Sequence, residues 1–282
     1  MLCSSLILLA GAAQAESEIQ LPSLVGPPEL AATTYDPDGH AVGRSRFAIE
    51  NLAQGLRRLT VEMGIASGGL NHSEVTLAPV SSGPPGDAGA DRAKGTVGER
   101  LRILEERSQS TAADGRRLDL LVVDHVAGRA SCIPDEGGLA RARHVDLPDQ
   151  DRVVNVPMQL LFQPLVTGEV DEVRFQIVLC TGGPRLQNMI AVRGPRFSRD
   201  GREIQEIRYG PDFGKTVAFF ASRLLPSLSF WFDARDGAYL GHRMPLHGNG
   251  PDVVLVRSGL SMEDLGFESR AERQRPSPDR GR

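Results

Sequence analysis

Asp124 stands next to His125, His242 lies five positions before His247, and Cys132 and Cys180 are the two cysteines beyond a short apolar leader. An acid beside a histidine could move protons, paired histidines could hold a metal, and a cysteine beside a base could act as a nucleophile. The spacing argues against each of these. Asp124 and His125 sit in the strand-like run "RRLDLLVVDHV", where neighbouring side chains point to opposite faces, so without a bulge they form no dyad. His242 and His247 fall on different faces of a helix, and Pro245 interrupts a strand there. No acid or cysteine pattern around them completes a zinc site, so neither a metal nor a cofactor is expected. The chain contains no G-x-S-x-G elbow, no P-loop and no dinucleotide fingerprint, and "CTGGPR" at Cys180 reads as a turn. Glu50, Glu62, Glu106, Glu203 and Glu206 lie on strand-like runs, where charged side chains are expected on the solvent face. No catalytic residue emerges, and a hydrolase would need His125 or His242 beside an acid in a cleft.

The elements that must position these side chains are strands. In "LTVEMGI" Leu59, Val61, Met63 and Ile65 share one face, and in "EVRFQIVL" Val173, Phe175, Ile177 and Leu179 do the same, as half-buried strands require. Further strands fit "GRSRFAIEN", "SEVTLAPV", "LRILEERS", "REIQEIRY" and "DVVLVRS". Asp-Gly pairs at Asp38-Gly39, Asp114-Gly115, Asp200-Gly201 and Asp236-Gly237 separate such runs, and each supplies the positive φ of a hairpin turn. "SFWFDARDGAYLGH" then reads as strand, turn, strand, with Phe230 and Phe232 on one face and Trp231 and Asp233 on the other. Two helices are expected, one over "KTVAFFASRLLP" and a shorter one from Pro157 with Asn155 as its cap. The fold class is therefore mainly β, a large curved antiparallel sheet resembling a half-barrel, with one or two short helices on its concave face.

The chain ends speak of compartment. "MLCSSLILLAGAAQAESE" carries an apolar run from Leu6 to Ala13 and the small-x-small pattern Ala13-Gln14-Ala15 of a cleaved signal peptide, with Glu16 as the first mature residue. The run is about half of the roughly 20 residues that span a bilayer, so no transmembrane segment is expected in the mature chain. The organisation follows: signal peptide 1–15, N-terminal extension 16–30, one antiparallel β domain 31–266 with a flexible Gly/Pro-rich loop at 81–99, and a disordered tail 267–282. Export to the periplasm lets Cys132 and Cys180 close as a disulfide, the alternative being two separately buried thiols. A loop of about 48 residues closed this way is worth about 4 kcal/mol in the chain-entropy model. The net charge of −4 is mild, only Lys94 and Lys215 are lysines among 32 basic residues, and no basic run is interleaved with aromatics. Nucleic acid is accordingly not an expected partner.

The order of these features, with "YDPDGHAVG", "PLVTGEVDEVRFQIVL" and a terminal hairpin W-x-D-x-x-x-G-x-x-L at Trp231, Asp233, Gly237 and Leu240, resembles uncharacterised domain families of exported bacterial envelope proteins. Those families are similar in turn to the periplasmic lipoprotein carrier and receptor half-barrels. The resemblance implies an antiparallel half-barrel around a helical lid, and it carries no catalytic residues.

Together these readings lead to a periplasmic, non-enzymatic protein that binds an apolar ligand or a lipid-modified partner. The cavity candidates are Leu161, Phe162, Phe175, Phe219, Phe220, Phe230 and Phe232, which belong to an apolar excess in the second half of the chain. The alternative is an envelope interaction module with a filled core that docks a protein partner through a free sheet edge.

Overall fold

A computed structural model describes residues 21–22, 28–65, 69–80, 100–135, 138–149, 152–212, 228–245 and 252–267. Fifteen strands form one open antiparallel sheet. They are β1 (Leu21–Pro22), β2 (Glu29–Tyr35), β3 (Ala41–Asn51), β4 (Arg57–Ile65), β5 (Leu70–Pro79), β6 (Arg100–Thr111), β7 (Arg117–Asp124), β8 (Arg129–Pro134) and β9 (Arg143–Asp146). After two short helical turns, α1 (Met158–Leu161) and α2 (Gln163–Thr167), come β10 (Glu172–Leu179), β11 (Arg185–Arg199), β12 (Arg202–Pro211), β13 (Leu228–Asp233), β14 (Tyr239–Pro245) and β15 (Asp252–Arg257).

Each strand from β2 to β9 and from β10 to β15 pairs with its chain neighbour, and β15 pairs with β2 to join the two meanders. The spatial order therefore runs from β10 through β15 and then from β2 to β9, while β1 adds to β6. All four Asp-Gly pairs lie in hairpin turns with positive φ at glycine. Asp200 is also at positive φ, so Asp200-Gly201 is a two-residue turn between β11 and β12. The other three are followed by a register shift, the bulge that usually accompanies a longer hairpin loop.

The sheet rolls. Val61 and Met63 of β4 share one buried cluster with Phe175 of β10 and Met189 of β11, far apart in strand order, and a flat sheet could not bring them together. The same concave cluster takes Met158, Leu160, Leu161, Phe162 and Leu165 from the two helical turns. A separate cluster lies on the convex side, where Ile204, Trp231, Leu240, Val254 and Val256 are covered by Leu265 and Phe267 of the C-terminal turn. Trp231 meets the Phe267 ring edge-on at 4.8 Å. Gly241 makes this covering fit, because a Cβ there would lie 2.7 Å from Leu265 Cδ1 and would strike the Leu255 carbonyl. Trp231, Asp233, Gly237 and Leu240 thus act structurally, as two convex-face anchors and a turn.

Two expectations need correction or lie out of view. Asn155 does not cap α1, whose N-cap is Pro157 with no side-chain hydrogen bond. Its amide reaches across to β10 instead. The expected helix over "KTVAFFASRLLP" and the loop at 81–99 lie outside the described residues.

Candidate functional site

Rolling brings the two edges of the sheet near each other, and a seam of unlike contacts joins them. Val153 bridges Gln176 of β10 in parallel, and Val154 N–H donates to the Gln176 carbonyl at 2.8 Å. Asn155 then mimics a strand residue with its side chain. Its Nδ2 donates to the Val178 carbonyl and its Oδ1 accepts from the Val178 N–H, both at 3.0 Å. Cys132 of β8 and Cys180 beyond β10 are joined by a disulfide with a Cα–Cα distance of 5.6 Å. A bonded Cys180 is no free nucleophile.

Glu106 anchors the seam from inside. Its carboxylate is 1% exposed and accepts from the N–H groups of Asn155 at 2.9 Å and Val156 at 2.7 Å, with His125 Nε2 at 3.1 Å. Charged residues on strands were expected to face solvent, and for Glu50, Glu62 and Glu203 they do. Glu106 and Glu206 overturn that expectation, since both are buried.

The cause at Glu106 is a bulge. Thr76 pairs Glu105 but Leu77 pairs Ile103, leaving Leu104 unmatched on β6. Leu101 and Ile103 face the core before it, and Glu106, Ser108 and Ser110 face inward after it, while Glu105 and Arg107 pair with each other outside. Alternation read from sequence could not place this one-residue slip. At Glu206 the support is different: Ser229 Oγ donates at 2.8 Å and Arg208 lies at 3.0 Å. His125 does sit beside an acid, but Glu106 is saturated by donors of the seam and the pair does not line the cavity described next. Asp124 points away and accepts from Ala127 N–H, so the adjacent pair forms no dyad.

Inside the concave sheet lies a cavity of about 1190 Å³. One wall is apolar, with Phe47, Val61, Met63, Met189, Tyr209 and Phe230. Another is a patch of small polar side chains on β5 and β6, where Ser73 Oγ lies 3.0 Å from Asn71 Oδ1 and 2.9 Å from Ser108 Oγ, with Ser110 beside them. The disulfide and Arg141 and Arg143 line it near the seam. Burial holds the Tyr209 phenol above its ordinary range, and burial and the neighbouring Tyr209 do the same for Tyr239, so both stay neutral.

The sequence-derived candidates divide sharply here. Phe230 lines the cavity. Leu161, Phe162, Phe175 and Phe232 are instead packed core beside it, with Phe162 meeting Phe175 at 5.9 Å and Phe230 at 5.2 Å between ring centroids. Phe219 and Phe220 lie outside the described residues. The serine and asparagine patch was not singled out by sequence, because small polar residues on a strand carry no signal of their own until the facing strands are known. His242, dismissed as a metal ligand, is a buried wall residue. Among the described residues no group of histidines, cysteines and acids could hold a metal, and no helix is long and apolar enough to cross a membrane.

No protein-family model matches the chain, and no curated protein is significantly similar to it in sequence. Among solved structures, a beta-barrel-like protein of domain of unknown function DUF1849 from Brucella abortus aligns with a TM-score of 0.44 at 10% identity, over 85% of this chain and 98% of that one. The hypothetical lipoprotein YmcC from Escherichia coli aligns with a TM-score of 0.31 at 9% identity, over 83% of this chain and 87% of that one.

Proposed function

We propose that this is an exported, non-enzymatic protein that shelters an apolar ligand, or the acyl part of a lipid-modified partner, inside its rolled sheet. The cavity carries the proposal. Its 1190 Å³ is at the upper end of the range that small-molecule sites occupy, and its walls combine a large apolar surface with one compact polar patch. A molecule with a long apolar body and a small polar group matches that division.

Two further observations support binding over chemistry. The inward acid, Glu106, spends its acceptor capacity on the seam. The inward histidine of the cavity has a tyrosine, not an acid, beside it. Docking through a free edge has less support, because β10 is covered by residues 153–156 and β9 is only four residues long with Arg143, His144 and Asp146 along it.

Native mass spectrometry of protein purified without detergent tests the reading, with bound lipid-sized mass as the expected result. A hydrophobic fluorescent dye should bind as well, and Val61→Trp, which fills the apolar wall, should weaken it. A wild-type protein that carries no lipid and binds no dye would end the proposal.

A further inference from the structure

His242 is the least satisfied polar side chain in the cavity wall. It faces inward from β14 between Phe230 of β13 and Leu255 of β15, and is 3% exposed. Its ring lies 4.8 Å from the Phe230 ring and meets Phe47 edge-on at 6.3 Å. Nδ1 is 2.7 Å from the Tyr239 hydroxyl, and Nε2 has no partner among the described residues although it is fully buried.

The hydrogen-bond network sets the tautomer. If the Tyr239 hydroxyl donates to Nδ1, the ring proton sits on Nε2 and one donor is left unmet. The opposite tautomer would strand both the phenol hydrogen and the Nε2 lone pair. Native interiors avoid such losses, so the first arrangement holds. Burial lowers the His242 pKa to about 3, so the ring is neutral and the unmet group is an uncharged N–H on the cavity wall.

An uncharged donor between two phenylalanine rings selects its acceptor. A carboxylate brought there would lose its hydration without a cation to replace it, whereas a neutral carbonyl loses little and gains the bond. Arg141 and Arg143 line the cavity near the seam, away from the His242–Phe230–Phe47 wall in strand order. We propose that the cavity takes an acyl ligand whose ester or amide carbonyl accepts from His242 Nε2–H, an inference that rests on the binding reading above. The Tyr239 hydroxyl is the positioning group, because its hydrogen bond keeps the proton on the cavity-facing nitrogen.

Methyl dodecanoate labelled with ¹³C at the carbonyl is the probe, with its affinity read by dye displacement and its carbonyl stretch by infrared difference spectroscopy. In the wild-type protein the bound carbonyl should absorb at lower frequency than the same ester in an alkane. His242→Phe should remove that shift and weaken the ester roughly tenfold, the loss of one hydrogen bond to a buried donor, while dye binding persists. His242→Gln, which keeps a side-chain N–H donor, should retain part of the shift. An unshifted carbonyl in wild-type protein that binds the ester would overturn the inference while leaving the cavity as a binding site. Failure of wild-type protein to bind either ester or dye would remove both.

Discussion

Phe230 and Trp231 are neighbours in the chain and occupy opposite apolar environments. Trp231 faces the convex side, where the chain's own C-terminal turn seals it with Leu265 and Phe267. Phe230 faces the concave side, packed against Phe162 on one flank and open to the cavity on the other. The protein spends a segment of its own chain to close the convex cluster. On the concave side the described helical turns fill part of the interior and leave about 1190 Å³ unfilled. A protein that needed only stability could pack that space, since unfilled volume costs contact energy. The contrast is the physical reason for placing function on the concave side.

The comparison can be broken from either face. The largest effect should come from Trp231→Ala, which deletes the centre of a sealed cluster and should cost about 3–5 kcal/mol in urea unfolding. Dye binding by the remaining folded protein should be unchanged. If binding falls in step with stability, the two faces are not independent.

Glu106→Leu attacks the concave side at its seam. It leaves the Asn155 and Val156 N–H groups and His125 Nε2 without their acceptor, and should cost about 3–4 kcal/mol. Here binding should fall as well, because residues 155 and 156 line the cavity. The Cys132→Ser, Cys180→Ser double variant should come next, at about 2–4 kcal/mol for a separation of 48 residues, and should match reduction of the wild-type protein with dithiothreitol.

The smallest effect sharpens the comparison through pH. His242 titrates near 6.5 when unfolded and at about 3 when folded, held down by burial. Between those values the unfolded chain binds the extra proton, so stability is constant above about pH 6.5 and falls as the pH drops toward 3, by up to about 1.4 kcal/mol per unit. His242→Phe should flatten that part of the curve measured by urea midpoints. An unchanged slope would mean that the histidine is solvated and is not the buried donor described here.

Much of the fold was legible because it rests on local rules. Asp-Gly marked four hairpins, since glycine alone takes positive φ without strain, and alternation marked which residues of β4 lie inside. Alternation also separated Phe230 from Trp231. The cavity was less legible. Its aromatic candidates were read from apolar excess, and hydrophobicity does not distinguish a side chain that fills a core from one that borders a void. Ser73, Ser108 and Asn71 became a patch only when β5 was set beside β6.

By itself, then, the sequence determined an antiparallel, mainly β chain with turns at defined places and two cysteines able to meet. Tertiary structure decided the pairing of β15 with β2, the one-residue slip at Leu104 that turns Glu106 inward, and the seam where Asn155 serves as a strand residue. These depend on which distant segments approach each other. A turn is settled by the torsions of a few residues, whereas a register, a seam and an unfilled volume are settled by how the whole sheet curls.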